Sequence, residues 1–383
     1  MEFSLSWILL GLPLVFILGW GASRFDLRQI RLENHQAPKA YFKGLNFLLN
    51  EQQDQAIDAF IEAVQNDPDT SELHFALGNL FRRRGEYERA VRVHQHLLSR
   101  GDISQADRQR AQHALALDYL KAGLLDRAEE ALLKLEGTPF EAQARLALLA
   151  NYERSRDWAL AAQVAEKLER AGQGNFSPRL AHYLCEQAAT LATQGDLDAA
   201  TQLLRQAIVM APEAARAQMD LAHLLDKKGD ADKAWQTLLD ALGASPSAIP
   251  LIAQPLADLA LRTGHVEETC AQLQALYASN PSLDVLDAIV TLSSANASTS
   301  ARDWYARHLE KEPSLVAATK WIAGEKLEHE QFHPQVQRAL DHATKPLLRY
   351  RCAACGFEAV QHFWQCPGCQ AWDSYPARRV EEL

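Results

Sequence analysis

A chain of 383 residues is longer than a single compact core usually grows, so it holds either several domains or an extended repeat array. Apolar residues make up 48% and charged residues 23%, a globular balance that excludes wholesale disorder. The formal net charge of −10 argues against a general nucleic-acid binder.

The first expected element is a transmembrane helix. Phe3 to Ala22 carry no charge, and twenty helical residues cover a hydrocarbon core of roughly 30 Å. Trp7 and Trp20 fall near the two interfaces. The alternative is a secretory signal peptide. Glu2 stands before Ser6 with no Lys or Arg, and no convincing small-residue cleavage site follows, so an uncleaved anchor over 1–23 is the reading taken. Arg24, Arg28, Arg31, Lys39 and Lys43 all lie after the span. By the positive-inside rule the bulk of the chain is then cytoplasmic and the N-terminus faces outward. Residues 24–36 form a juxtamembrane linker.

From residue 37 a period of thirty-four residues sets in. A unit begun at Ala37 places Gly44, Phe47, Ala56, Phe60, Ala63 and Pro68 at its positions 8, 11, 20, 24, 27 and 32. The unit begun at Ser71 repeats this with Gly78, Phe81 and Ala90, and those begun at Ala181 and Ala215 with Ala188, Gly195, Ala200, Ala207 and Pro212, then Ala222, Gly229, Ala234, Ala241 and Pro246. Small residues at 8, 20 and 27 let two antiparallel helices cross closely, large ones at 11 and 24 fill the gap, and Pro ends the second helix. This is the tetratricopeptide pattern. Weaker units start near Gln109, Ala142 and Pro250; a degenerate pair follows from Ser282, and Leu315 to Ala343 adds capping helices. The expected fold is an all-α superhelix over 37–345, of about eight or nine helix pairs with a concave inner face.

In such arrays the first helix of each pair lines the groove. The Lys and Asn set that grips a C-terminal carboxylate in related adaptors is missing, since Phe75, Asn79, His113 and Leu117 occupy the relevant helices. Arg82, Arg83, Arg110 and Lys121 are the candidate partner-binding residues, able to receive an acidic surface, against the alternative of a solvated helix face. No nucleophile triad, phosphate loop or H-E-x-x-H helix occurs, so no enzymatic activity is expected. His94, His96 and His223 are read as packed or solvated, and Cys185 and Cys270 as ordinary buried thiols.

The remaining segment, 346–383, carries Cys352-x-x-Cys355-Gly356 and Cys366-Pro367-Gly368-Cys369. Thiols in the cytoplasm stay reduced, so two paired knuckles mean one metal ion held tetrahedrally by four thiolates rather than disulfides. Gly356 and Gly368 let the backbone curl around the sulfurs. Tyr350, Phe357, Phe363, Trp364, Trp372 and Tyr375 supply what core a domain this small can have. Zinc and iron both accept four thiolates, and the spacing does not choose between them. The knuckles look like those of rubredoxin, with a much shorter interval between the pairs. Four Arg and four acids balance from Arg349 to Leu383, which speaks against a nucleic-acid ribbon.

One span, a tetratricopeptide array and a terminal rubredoxin-like module, in that order, resemble the lipopolysaccharide assembly protein B family of Gram-negative bacteria. The resemblance implies a single-pass inner-membrane adaptor, with a periplasmic N-terminus. It implies that the adaptor brings the deacetylase committing material to lipid A to a membrane-bound AAA+ metalloprotease. It implies further a lipopolysaccharide-sensing inner-membrane regulator that blocks the adaptor, and self-association, with a homodimer as the simplest form. Cys352, Cys355, Cys366 and Cys369 carry over as metal ligands. Two other readings stay open: an iron-containing electron carrier on a repeat scaffold, and a scaffold for envelope-assembly enzymes with no role in proteolysis.

Overall fold

The computed structural model describes residues 42–66, 70–296, 300–324 and 330–383, with Phe16 and Trp20. The expected span over 3–22 lies outside the described residues except for those two, which are helical and exposed. Among the described residues no helix is long and apolar enough to cross a membrane.

The chain forms two compact units, Met1–Val164 and Ala165–Leu383. In the first, α1 (42–49), α2 (Gln53–Asn66), α3 (Ser71–Arg83), α4 (Tyr87–Ser99), α5 (Gln105–Ala122), α6 (Leu125–Leu133) and α7 (Glu141–Ser155) follow one another as helix pairs. Helix α8 (Trp158–Arg170) carries the chain into the second unit. There α9 (Ser177–Gln194), α10 (Leu197–Met210), α11 (Ala215–Lys227), α12 (Ala231–Ala244), α13 (Ile249–Thr263), α14 (Val266–Ser279), α15 (Leu283–Asn296), α16 (Ala301–Leu309), α17 (Leu315–Ala323) and α18 (His333–Thr344) continue the pattern. Within each unit neighbouring helices pack antiparallel, and first helices touch first helices: α3 on α5, α5 on α7, α9 on α11 and α13 on α15. That second set of contacts makes a repeat stack rather than separate hairpins.

The small positions do what the pattern requires. Ala56, Ala63, Ala90, Ala200, Ala207, Ala234 and Ala241 are sealed from solvent between helices, and Phe60 and Leu97 fill the gaps. Gly195 closes α9 in the left-handed conformation at φ 93°, its amide turned back to the last turn. The unit begun near Ala142 shows no such glycine because Arg156 takes that conformation itself, at φ 59°, after α7. Successive units are also tied by ion pairs from cations at matching places, Lys228 to Asp198 at 2.7 Å and Arg262 to Asp226 at 2.7 Å. Both are solvated and contribute little individually.

Candidate metal centre and its seat on the repeats

After α18 the chain makes a small ribbon. Strands β1 (Tyr350–Arg351) and β2 (Glu358–Ala359) pair antiparallel, with Tyr350 opposite Ala359 and Arg351 opposite Glu358. Each knuckle is a tight turn closed by two backbone hydrogen bonds. Cys352 donates to Phe357 and Gly356 back to Cys352, both at 2.9 Å; Cys366 donates to Ala371 at 2.9 Å and Gln370 back to Cys366 at 2.8 Å. Gly356 takes the left-handed conformation expected of it, φ 77°. Gly368 does not: in the second knuckle Gln370 bears the positive φ of 63°, while Gly368 lies against the Phe357 side chain, where a Cβ would sit 3.4 Å from that ring's own Cβ.

The turns bring the four sulfurs together. All lie within 4.8 Å of one another, with Cys352 Sγ 3.8 Å from Cys369 Sγ and Cys355 Sγ 3.7 Å from Cys366 Sγ. A metal–sulfur bond of about 2.3 Å in tetrahedral geometry demands sulfur–sulfur edges of about 3.8 Å, so the sulfurs fit one ion. They are free thiols. Cys352 and Cys366 are buried, and Cys355 and Cys369 exposed. Burial alone would push the Cys352 thiol up, but the Ser374 hydroxyl at 3.3 Å and the amides of Cys355 and Ala354 bring it down to about 6. At Cys366 burial is likewise outweighed by the amides of Cys369 and Gly368, and the thiol is lowered. The amide donors favour the thiolate form that metal binding needs, whereas at Cys355 the Phe357 amide is outweighed by burial and the neighbouring thiols, which raise that thiol to about 12. The four cysteines therefore form a tetrahedral four-thiolate site, and the ion would hold the two knuckles together as the ribbon's main structural bond.

The ribbon is seated on the helices of the second unit by residues next to the knuckles. His182, buried on α9, stacks on Trp372 with ring centroids 4.6 Å apart and faces both Asp373 oxygens through Nε2, at 2.9 and 3.0 Å. Arg216 of α11 lies 6.0 Å from the centre of the same Trp372 ring and pairs with Glu186 at 2.7 Å. Leu251 of α13 packs on the ribbon core of Tyr350, Cys352, Cys366 and Tyr375. Beyond the ribbon, the tail reaches two helix openings. The Glu381 carboxylate accepts from the Leu315 and Val316 amides at 2.6 and 3.1 Å and from the Ser314 hydroxyl at 2.8 Å. Glu382 accepts from the Leu283 amide at 2.9 Å, and Arg379 grips Asp284 through Nε and Nη2, the latter at 2.8 Å. Carboxylates at helix N-termini satisfy free amides and complement the dipole.

The candidate basic residues have different surroundings. Arg82 pairs with the fully buried Asp118 at 2.8 Å and donates to the Ala114 carbonyl at 3.1 Å. Arg110 pairs with Glu72 and lies 4.1 Å above the Phe75 ring. Arg83 and Lys121 are exposed. Two features escaped the sequence reading. One is the buried set of Asp118, Arg82 and His94, whose Nδ1 meets Asp118; an Asp inside the apolar run of α5 was the available signal. The other is the seat itself, for which no periodicity exists.

The repeats and the ribbon define the class: a tetratricopeptide-repeat chain bearing a four-cysteine metal module. Family models agree. A rubredoxin metal binding domain matches residues 350–375, and tetratricopeptide repeats match 185–249 and 73–109. Lipopolysaccharide assembly protein B of Escherichia coli strain K12 is 30% identical over 388 residues, covering 99% of this chain and 100% of its own. The protein of that name from Haemophilus influenzae is 27% identical, covering 95% of this chain and 96% of its own. Among solved structures, a tetratricopeptide repeat protein from Parabacteroides merdae is similar at a TM-score of 0.36 and 14% identity, covering 67% of this chain and 98% of its own. The chain belongs to the lipopolysaccharide assembly protein B family.

Proposed function

We propose that the chain is a non-catalytic adaptor in the regulation of lipopolysaccharide synthesis, tethered to the bacterial inner membrane by residues 1–23, with its repeats and ribbon on the cytoplasmic side. It presents the lipid A-pathway deacetylase to a membrane-bound AAA+ metalloprotease, and a lipopolysaccharide-sensing membrane protein restrains it. The observation that carries the reading is the match to lipopolysaccharide assembly protein B over essentially the whole chain. The geometry is compatible with it: a repeat stack with a four-cysteine ribbon seated on its second unit can serve as a docking frame. Of the four basic candidates, Arg83 and Lys121 are the exposed ones suited to an acidic partner surface. A tether would raise the effective concentration of the repeats beside a membrane protease without any new contact.

The test is the half-life of the deacetylase in cells carrying the full chain, no chain, or a chain lacking residues 1–22. A half-life lengthened by both losses supports a tethered degradation adaptor. An unchanged half-life removes the proteolytic role and leaves the envelope scaffold.

A further inference from the structure

A cavity of about 630 Å³ opens in the second unit between the ribbon and the starts of α9, α11 and α13. This is the size of an ordinary ligand pocket and large enough for several side chains of an extended segment. The lining is mixed, and its apolar part sets Pro178, Met210, Pro212 and Leu251 from the repeats beside Trp364 and Tyr375 from the ribbon. Met210 is 39% exposed and its neighbour Val209 81% exposed, so the apolar wall continues out onto the surface at the end of α10.

The charge of the lining has one sign. Glu213 and Asp373 are its carboxylates, and no Lys or Arg lines it. His362 adds no counter-charge, because burial pushes its pKa below the ordinary histidine value. The Asp373 carboxylate is already engaged by His182, at 2.9 Å. Glu213 is exposed and makes no ion pair among the described residues. At the helix openings Ser177 donates to Asn175 Oδ1, and the N-cap amides of Ala214 and Ala248 donate to the Ala211 and Ser245 carbonyls, each at 3.0 Å. The side-chain charge offered to an occupant is therefore that of the two carboxylates, with Glu213 the one not engaged by a cation.

We propose that this cavity is a docking site for an extended segment of a partner protein carrying a Lys or Arg between apolar residues. The cationic head meets Glu213, and the apolar flanks lie along Met210, Pro212 and the Trp364 wall. Trp364 adds an aromatic surface of the kind that attracts a cation or its aliphatic stem. The site goes beyond the adaptor reading and does not depend on which protein supplies the segment.

The test uses the full chain, metal-loaded and in detergent, titrated calorimetrically with the acetylated and amidated peptide Ala-Leu-Arg-Leu-Ala. A second peptide has neutral citrulline in place of arginine. The arginine peptide is expected to bind with a Kd below about 1 mM. Glu213→Gln weakens it about fivefold and Glu213→Lys more, while the citrulline peptide binds the native chain and Glu213→Gln alike. Because Glu213 is on the surface, both variants fold. The proposal is overturned by the absence of binding up to about 1 mM, by a citrulline peptide that binds as well as the arginine one, or by an unaffected Glu213→Lys. Spermidine competing as well as the peptide also overturns it, since the site would then be a cation surface with no use for apolar flanks.

Discussion

Gly78 on α3 lies under the buried ring of His94, so closely that a Cβ would come within 2.5 Å of the imidazole. The repeat pattern marks Gly78 as a small position, but not why it is glycine where other units carry alanine. The reason is His94, which spends its Nδ1 on the buried Asp118 and has no room to retreat. Gly78→Ala should lower unfolding stability by about 1–2 kcal/mol, the overpacking cost less the gain in helix propensity. Gly243, helical and with open space around it, is the control: Gly243→Ala should raise stability by about 0.5 kcal/mol. Urea unfolding of both variants measures the contrast. Arg82 teaches the same lesson in reverse. From the sequence it is one cation among several in "FRRRGEYERAVR"; only the three-dimensional approach of α3 to α5 turns it towards Asp118. Side chains of equal composition were separated by contacts that no spacing records.

At the scale of elements, the helices were largely legible because their period is a packing requirement. Helix α11 opens at Ala215 and α17 at Leu315, the positions the pattern assigned. What joins elements was not legible, and α17 shows it. Its opening turn is capped from outside the repeats by Glu381, alongside Ser314, which accepts from the Ala317 amide. Glu381→Ala should cost about 1 kcal/mol. It should also raise proteolytic cleavage near α17 under native conditions, whereas Glu310→Ala on exposed surface should not. Helix α16 carries a second element-scale device. His308 is buried, and Tyr277 of α14 meets its Nδ1 at 2.6 Å. Burial holds the imidazole below its ordinary pKa, outweighing the nearby Glu312, Glu381 and Asp287. The folded ring is therefore neutral while the unfolded chain takes up a proton below about pH 6.5. This stability is present above that pH and is lost as pH falls towards the folded pKa. His308→Gln should flatten the fall in Tm between about pH 7.5 and pH 5.5, as a thermal melt series will show.

For the whole molecule, the loss of the metal is expected to be felt in the ribbon rather than in the repeats. The four cysteines were fully legible, since two C-x-x-C pairs have few other uses; the surface that the ribbon occupies was not. Trp372 and Asp373 stand three and four residues after Cys369, so the contacts to His182 are carried by a knuckle that the ion would tie to the other one. Removing the metal with a chelator, or by Cys352→Ser with Cys355→Ser, should leave far-UV helicity nearly unchanged. The Trp372 environment should become solvent-like and proteolysis of 346–383 should accelerate. A large loss of helix would mean that the repeats lean on the ribbon for their fold.

The external caps have a consequence in time. The carboxylate that closes α15 at Leu283 belongs to Glu382, 99 residues further along the chain. At a synthesis rate of about 5–20 residues per second, α15 leaves the ribosome roughly 5–20 s before its cap exists. During that interval the nascent second unit presents uncapped helix openings and an empty seat at His182 and Leu251. Its completion waits for the ribbon to emerge and dock rather than following a gradual growth of the stack.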